Sequence, residues 1–332
     1  MHGIRESGAR LPEAAKRLAE SLADDADGCV RGILLYGSHI LGARPGRHSA
    51  YDLVVVVDEY GPFHRAMKRA GAVTRPPWLL TSMAHLLAPN TTAYQLAGAE
   101  DVGLAKCLIV SDADFTRALG SRPRDHFLLG RLVQRVALLW WRDEASARSM
   151  EHRIQRARAG VVEWMAPYLP AEFDAESLGA RMLDVCYRGE IRPEAGDRSQ
   201  QVFEAQRSYF AEVFPDVLEE GVRRGALARG DDGRYSLTAE PGHRVRMRWR
   251  WHFVRSKVRA TLRWFKHIVT FDNWLPYIER KVERRTGIRY ELTARERRWP
   301  LIFLWPRVIH MIRNRPSDED DASGSNFRGG SR

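Results

Sequence analysis

Within residues 11–23 the apolar positions Ala14, Ala15, Leu18, Leu22 and Ala23 fall on one stripe at helical spacing, which predicts an amphipathic helix. The run Asp-Asp-Ala-Asp-Gly at 24–28 ends it. Gly32-Ile33-Leu34-Leu35-Tyr36 is a short apolar run that stops at Gly37-Ser38, and residues 51–58 read Tyr-Asp-Leu-Val-Val-Val-Val-Asp. Runs this short, the second rich in β-branched residues, predict two adjacent buried strands. Residues 60–72 suit a helix, and 74–77 and 89–92 hold breakers that predict loops. Residues 104–110 predict another strand and 127–141 an apolar helix. Such a mixture predicts an α/β core over about residues 1–140.

Residues 142–168 continue as helix up to Pro167 and Pro170, and 200–214 and 217–226 predict two more. Leu-Ala-Arg-Gly-Asp-Asp-Gly-Arg-Tyr-Ser-Leu-Thr at 227–238 predicts a β-hairpin turning at Asp232-Gly233. Helices followed by such a hairpin suggest a winged-helix-like module, a fold that does not by itself imply DNA binding. Residues 244–251 alternate basic and apolar at period two, whereas Arg255, Arg259 and Arg263 lie four apart and share one helical face. Residues 317–332 are acidic, then Gly/Ser-rich, and are expected to be disordered. The expected organisation is a core over 1–141, a helical and winged-helix-like module over 142–240, a basic Trp-rich segment over 241–316, and a tail over 317–332.

Charge sharpens this division. The net charge is +11, yet residues 244–315 hold 20 Lys and Arg against 5 acids, which leaves the remainder slightly acidic. A segment of that kind seeks a polyanion, either nucleic acid or an anionic lipid surface. Trp249, Trp251, Trp264, Trp274, Trp299 and Trp305 lie among its basic residues. Cys29, Cys107 and Cys186 are far apart and form no Cys-x-x-Cys pair, so a reducing compartment without structural disulfides is expected. No signal peptide is legible, and no stretch reaches the ~18 to 20 apolar residues of a spanning helix.

The candidate chemistry lies at the ends of the first two strands. Nucleotidyl transfer needs a tight turn whose amides approach phosphates and an acid to hold a metal ion. Gly37-Ser38 supplies the turn and a hydroxyl, and Asp52 enters the next strand 14 residues after Ser38. This resembles the Gly-Ser, spacer, Asp pattern of the polymerase-β-like nucleotidyltransferase superfamily. That superfamily usually shows Asp-x-Asp, and here the second position is Val54. Asp58 is about 20 Å away along the strand, too far to share a metal. A second acid must come from elsewhere, or the site is inactive.

The order of segments resembles one family, the mitochondrial translocator assembly and maintenance proteins. These are CTP:phosphatidate cytidylyltransferases that make CDP-diacylglycerol. Tyr36-Gly37-Ser38 with the single-acid strand Asp52-Leu-Val-Val-Val-Val57 is similar to that family's pattern, as is Phe63-His64 shortly after it. Lys106-Cys-Leu-Ile-Val-Ser111, Leu128-Leu-Gly130-Arg131-Leu-Val-Gln-Arg-Val136 and Tyr187-Arg-Gly189-Glu190-Ile-Arg192 follow in the family's order, with Gly196-Asp197 after them. Glu190 stands where the family has Asp, and Gln200 or Gln201 where it has a basic residue.

The resemblance implies an α/β nucleotidyltransferase core with a mixed sheet, followed by a helical module and a basic C-terminal helical segment. It also implies a metal-dependent transferase in which Asp52 and Glu190 are catalytic and hold Mg²⁺. Tyr36, Gly37, Ser38, Lys106, Arg131 and Arg192 would then bind the nucleotide. The implied substrates are CTP and phosphatidate, and the implied place is cytoplasmic, peripheral on the inner face of an anionic membrane. Basic residues near an anionic leaflet contribute on the order of 1 kcal/mol each, and Trp favours the interface. The run Trp-Pro-Leu-Ile-Phe-Leu-Trp-Pro at 299–306 suits shallow insertion. The same features leave open a transferase acting on RNA or DNA, or an inactive nucleotidyltransferase fold serving as a binding module.

Overall fold

A strand that is apolar on both faces must sit in the middle of a layered structure, because either face would otherwise meet water. The computed structural model describes residues 4–5, 11–41, 49–96, 103–189 and 198–270. In it β2 (Tyr51–Val57) is buried from Leu53 onward and is the central strand of five. β1 (Val30–Tyr36) pairs antiparallel on one side, and β4 (Ala105–Ser111) pairs parallel on the other. β3 (Asn90–Tyr94) and β5 (Ala137–Trp141) close the edges as antiparallel partners of β4 and β1. The order is β3-β4-β2-β1-β5, so the class is α/β with a mixed sheet, as expected.

Helix α1 (Glu13–Asp25) buries Ala15, Leu18, Ala19, Leu22 and Ala23, the stripe seen in the sequence, against the β1–β5 side. Helices α2 (Tyr60–Arg69) and α3 (Pro77–Leu86) pack on each other between β2 and β3 in the chain. α4 (Asp112–Leu119) starts directly after β4, with Ser111 capping it by accepting from the Asp114 amide. α6 (Glu144–Ala159) is capped in the same way by Asp143 and packs on β1 and β5.

Two expectations are corrected here. Residues 127–141 are not one helix: α5 (Leu129–Leu132) is a single turn, and the apolar run after it becomes β5. Short apolar runs fit a buried helix or a strand equally well, and the open edge of β1 decides in favour of a strand. Residues 89–92 are not simply a loop, since Asn90-Thr-Thr-Ala-Tyr94 pairs with β4. Pro89 sits just before the strand, where its missing N–H costs no ladder bond.

The second half is helical. After α7 (Val161–Met165) come α8 (Ala175–Arg188), α9 (Arg198–Ala205) and α10 (Arg207–Arg223). The hairpin of β6 (Leu227–Arg229) and β7 (Tyr235–Leu237) turns through Gly233 at φ +81°. Phe173, just before α8, bonds both ways with Tyr235 at 2.9 and 2.8 Å as an isolated bridge, which ties the hairpin to the start of α8. The second half is thus a set of helices followed by a hairpin.

α11 (His243–Thr270) is one 28-residue helix, so the period-two alternation at 244–251 is not a strand signal. It packs against α3 and β3 with its polar side inward. Trp249, His252, Ser256, Arg263, Lys266 and Thr270 are buried, whereas Met247, Trp251, Val254, Val258, Leu262 and Phe265 are exposed. Buried Asp125 accepts from Arg259 Nε at 2.6 Å and Arg263 Nη2 at 2.5 Å. Arg263 Nε also donates to the Ala88 carbonyl at 2.9 Å. Arg255 donates to the carbonyls of Arg124 and Pro123 at 2.9 and 3.2 Å. Arg259 and Arg263 are therefore turned into the fold, whereas Arg255 stays exposed and ties α11 to the backbone at 123–124. Lys266 Nζ donates to the carbonyls of Leu87 and Pro89 and to Asn90 Oδ1.

Every described residue belongs to one compact unit, residues 1–272. The basic, Trp-containing stretch beyond α11, the tail at 317–332, Glu190 and Arg192 all lie outside the described residues. Among the described residues no helix is long and apolar enough to cross a membrane. Cys29, Cys107 and Cys186 are all free thiols.

Candidate active site

Register builds the site. Tyr36 on β1 is the partner of Asp52 on β2, Asp52 is the partner of Lys106 on β4, and Lys106 is the partner of Ala93 on β3. Side chains of directly partnered residues stand on the same face of a sheet. Tyr36, Asp52 and Lys106 therefore form one row across three neighbouring strands. Gly37 follows Tyr36 at φ +80°, a left-handed conformation that favours glycine. A Cβ placed on Gly37 would lie 2.7 Å from Asp52 Oδ2, so the turn backbone sits directly against the carboxylate. The Ile40 and Leu41 amides then donate to the Gly37 carbonyl at 3.1 and 3.3 Å, which winds Ser38 into a tight turn.

Two histidines that the sequence reading did not single out flank this row. His39 follows Ser38 directly, and its ring lies 4.2 Å from that of Tyr51. His39 Nε2 is 3.0 Å from the Ser49 carbonyl, and since a carbonyl only accepts, Nε2 carries the proton. Burial lowers the pKa of His39, opposed by the Ser49 hydrogen bond and by the charge of Asp52. His267, near the end of α11, meets Thr91 Oγ1 at 2.8 Å. Thr91 is two residues from Ala93 on β3, so His267 lies over the face that carries Asp52 and Lys106. Burial first, then the positive charges of Lys266, Lys106, Arg263 and Arg131, push its pKa down to about 3.

That list of charges locates Arg131 too, since Arg131 and Lys106 both act on His267. Arg131 Nη1 donates to the Phe127 carbonyl at 2.6 Å, and its guanidinium lies 3.9 Å from the Phe127 ring centre. Arg263 approaches the same ring at 4.6 Å. Such contacts hold guanidinium planes in fixed orientations. A Cβ on Gly130, beside Arg131, would be 2.9 Å from Cys186 Sγ, so the end of α8 abuts α5. The segment that carries Glu190 and Arg192 follows α8 by two residues.

Lys266 differs from these groups. Burial and then Arg263 and Arg259 push its pKa down to about 6. Its three oxygen acceptors match the three protons of an ammonium and oppose that shift. Lys266 ties α11 to the loop before β3 and is a structural group. His64 is also structural: it is buried on α2 with Nδ1 3.1 Å from Thr81 Oγ1, and burial lowers its pKa to about 4.

Among the described residues no three His, Cys, Asp or Glu side chains gather as a ready metal cage. Mg²⁺ takes near-octahedral oxygen ligation and commonly keeps several waters, with one or two carboxylates and substrate phosphates. Asp52 on the row fits one of those carboxylates. The row can thus do two things chemically. Its glycine turn leaves room for a close approach of backbone to a bound group, and it sets one carboxylate in register with Lys106.

The fold and row define an α/β protein with a glycine turn and an acid at the ends of adjacent strands. No family model matches the chain, and no curated protein matches it. Among solved structures the chain is similar to a nucleotidyltransferase-like protein from Exiguobacterium sibiricum, with 10% identity and a TM-score of 0.26. The match covers 90% of this chain and 91% of that one. At that level no residue role passes from one protein to the other.

Proposed function

We propose that the chain is a metal-dependent nucleotidyltransferase that moves a cytidylyl group from CTP to phosphatidate, forming CDP-diacylglycerol and pyrophosphate. The observation that carries the transferase reading is the left-handed Gly37 turn set against the Asp52 carboxylate, with Lys106 in register on the next strand. The choice of CTP and phosphatidate rests on the ordered motifs from Tyr36 to Arg192.

In this reading Tyr36, Gly37 and Ser38 seat the nucleotide phosphates, and Lys106 and Arg131 offset their charge. Arg192 contacts the triphosphate or the phosphatidate headgroup. Asp52 and Glu190 would hold Mg²⁺, which when bound neutralises charge on the triphosphate. The phosphatidate phosphate oxygen attacks the α-phosphorus of CTP in line. The bond from that phosphorus to the bridging oxygen breaks, and its electron pair leaves with pyrophosphate. The attacking oxygen is already anionic at neutral pH, so no strong general base is required. His39 is neutral and holds the Ser49 end of the loop beside the row. Phosphatidate resides in a bilayer, so the reading places the protein at the cytoplasmic face of an anionic membrane, as a peripheral protein.

The test is a radiolabel transfer assay offering each of the four nucleoside triphosphates with phosphatidate, RNA and DNA as acceptors. The expected product is CDP-diacylglycerol from CTP and phosphatidate. Label transferred to RNA or DNA instead would move the acceptor to nucleic acid, and no transfer to any acceptor would leave a binding module.

A further inference from the structure

A helix at the surface of a protein normally turns its apolar stripe inward and its charges to water. α11 departs from this: two of its charges are buried and an apolar stripe faces out. Its inward side carries Arg263 and Lys266, 2% and 7% exposed, held by Asp125 and by backbone carbonyls. Its outward side carries Met247, Trp251, Val254, Val258, Leu262 and Phe265, whose spacings of three and four keep them on one face. Trp251 is 67% exposed, and Val254, Val258, Leu262 and Phe265 are each about half exposed. A contiguous apolar face of that length marks a surface that meets something other than water.

Charge decides what meets it. The 28 residues of α11 hold nine Lys and Arg and no acid. At 3.6 residues per turn, exposed Arg250 and Lys257 flank the apolar stripe on one side and exposed Arg244 and Arg248 on the other. A second copy of this helix would bring the same positive flanks together and be repelled. Nucleic acid would match the charge, but it has no use for a stripe of Val254, Val258 and Leu262, since bases stack on aromatic faces. An anionic bilayer matches both, with headgroups for the arginines and acyl chains for the aliphatic stripe.

We infer that the outward face of α11, from Met247 to Phe265, docks in plane on an anionic lipid surface. The opposite side of the same helix brings His267 onto Thr91, over the face with Asp52 and Lys106, so docking sets that row close to the bilayer. The inference deepens the phosphatidate reading and rests on it only for what the acceptor is.

Flotation of the full chain tests it, using vesicles of phosphatidylcholine alone and of phosphatidylcholine with phosphatidylglycerol. The wild-type chain is expected to float with the anionic vesicles, with a blue shift in Trp fluorescence. Val258→Gln with Leu262→Gln keeps the charge and should weaken flotation roughly tenfold or more, from the lost burial of two aliphatic side chains. Arg250→Gln with Lys257→Gln should weaken it in a salt-dependent way. Both pairs are exposed, and an unchanged urea midpoint would show that the fold survives. Absence of wild-type flotation, or flotation indifferent to the Val258/Leu262 pair, overturns the inference. So does a wild-type dimer that the same pair dissociates, or a nucleic-acid shift without flotation. Failure of the cytidylyl-transfer assay with flotation intact would retire the enzyme reading and still support the docking face.

Discussion

Strand β2 buries every residue from Leu53 to Val57, whereas α11 buries Arg263 and Lys266 and leaves Trp251 and Leu262 outside. In the strand, hydrophobicity alone fixes the place: an apolar run with no polar face ends up in the sheet centre. In the helix, pairing fixes it. A buried guanidinium is costly unless its charge and donors are met. Asp125 meets the charge of Arg263, and Asp125 and the Ala88 carbonyl take Nη2 and Nε, while Nη1 has no hydrogen-bond partner among the described residues. Burial therefore follows apolarity in the core and specific partners at α11.

The largest effect expected from breaking this contrast is at Asp125. Its carboxyl pKa is lowered by Arg263 and Arg259 even though burial pushes the other way. Asp125→Ala strands two arginines under α11 and should cost about 3 to 5 kcal/mol in urea unfolding. A cost below about 1 kcal/mol would mean that α11 is held as an ordinary surface ion pair would hold it.

Acid should expose the same dependence on partners. His64 and His252 have pKa values lowered to about 4 and His267 to about 3, in each case mainly by burial. The unfolded chain binds protons on these rings near pH 6.5 and the folded chain does not. Stability is therefore full above that pH and falls as the pH drops toward 4. At pH 5 the loss is at most about 2 kcal/mol for each ring. Urea midpoints at pH 7 and pH 5 check this, and equal midpoints would contradict buried neutral histidines. The depressed Asp125 adds its own loss further down, beginning in the ordinary carboxylate range and complete once its folded-state pKa is crossed.

The smallest effect should be on the outward side of α11. Leu262→Gln in the unbound chain is expected to stay within about 0.5 kcal/mol of wild type. A larger loss would mean that the exposed stripe packs against something in solution.

These contrasts also show how far the sequence can be read. The first two strands, the Gly37 turn and the place of Asp52 beside it were legible, because each depends on a short local run and on the strands being neighbours. The alignment of Lys106 with Asp52 required the parallel register of β2 and β4, which the run at 104–110 predicts only as a strand. Residues 127–141 misled because an apolar run without strong breakers fits either period. His39 could have been singled out, since it follows Ser38 in the motif itself. His267 could not, as its place over the site comes only from the packing of α11 some 160 residues after Lys106. The spacing of Arg255, Arg259 and Arg263 gave the helical face correctly but not its direction, which Asp125 and the carbonyls of residues 88, 123 and 124 decide.

On the proposed function Asp52, set against the Gly37 turn, is the acid of a transferase site. Asp52→Asn keeps the size and removes the charge, and the decisive measurement is CTP-dependent formation of CDP-diacylglycerol by this variant beside wild type. Activity is expected in the wild-type chain, and a loss on the order of a hundredfold or more in the variant, with an unchanged urea midpoint. Equal activity in the two proteins would contradict it.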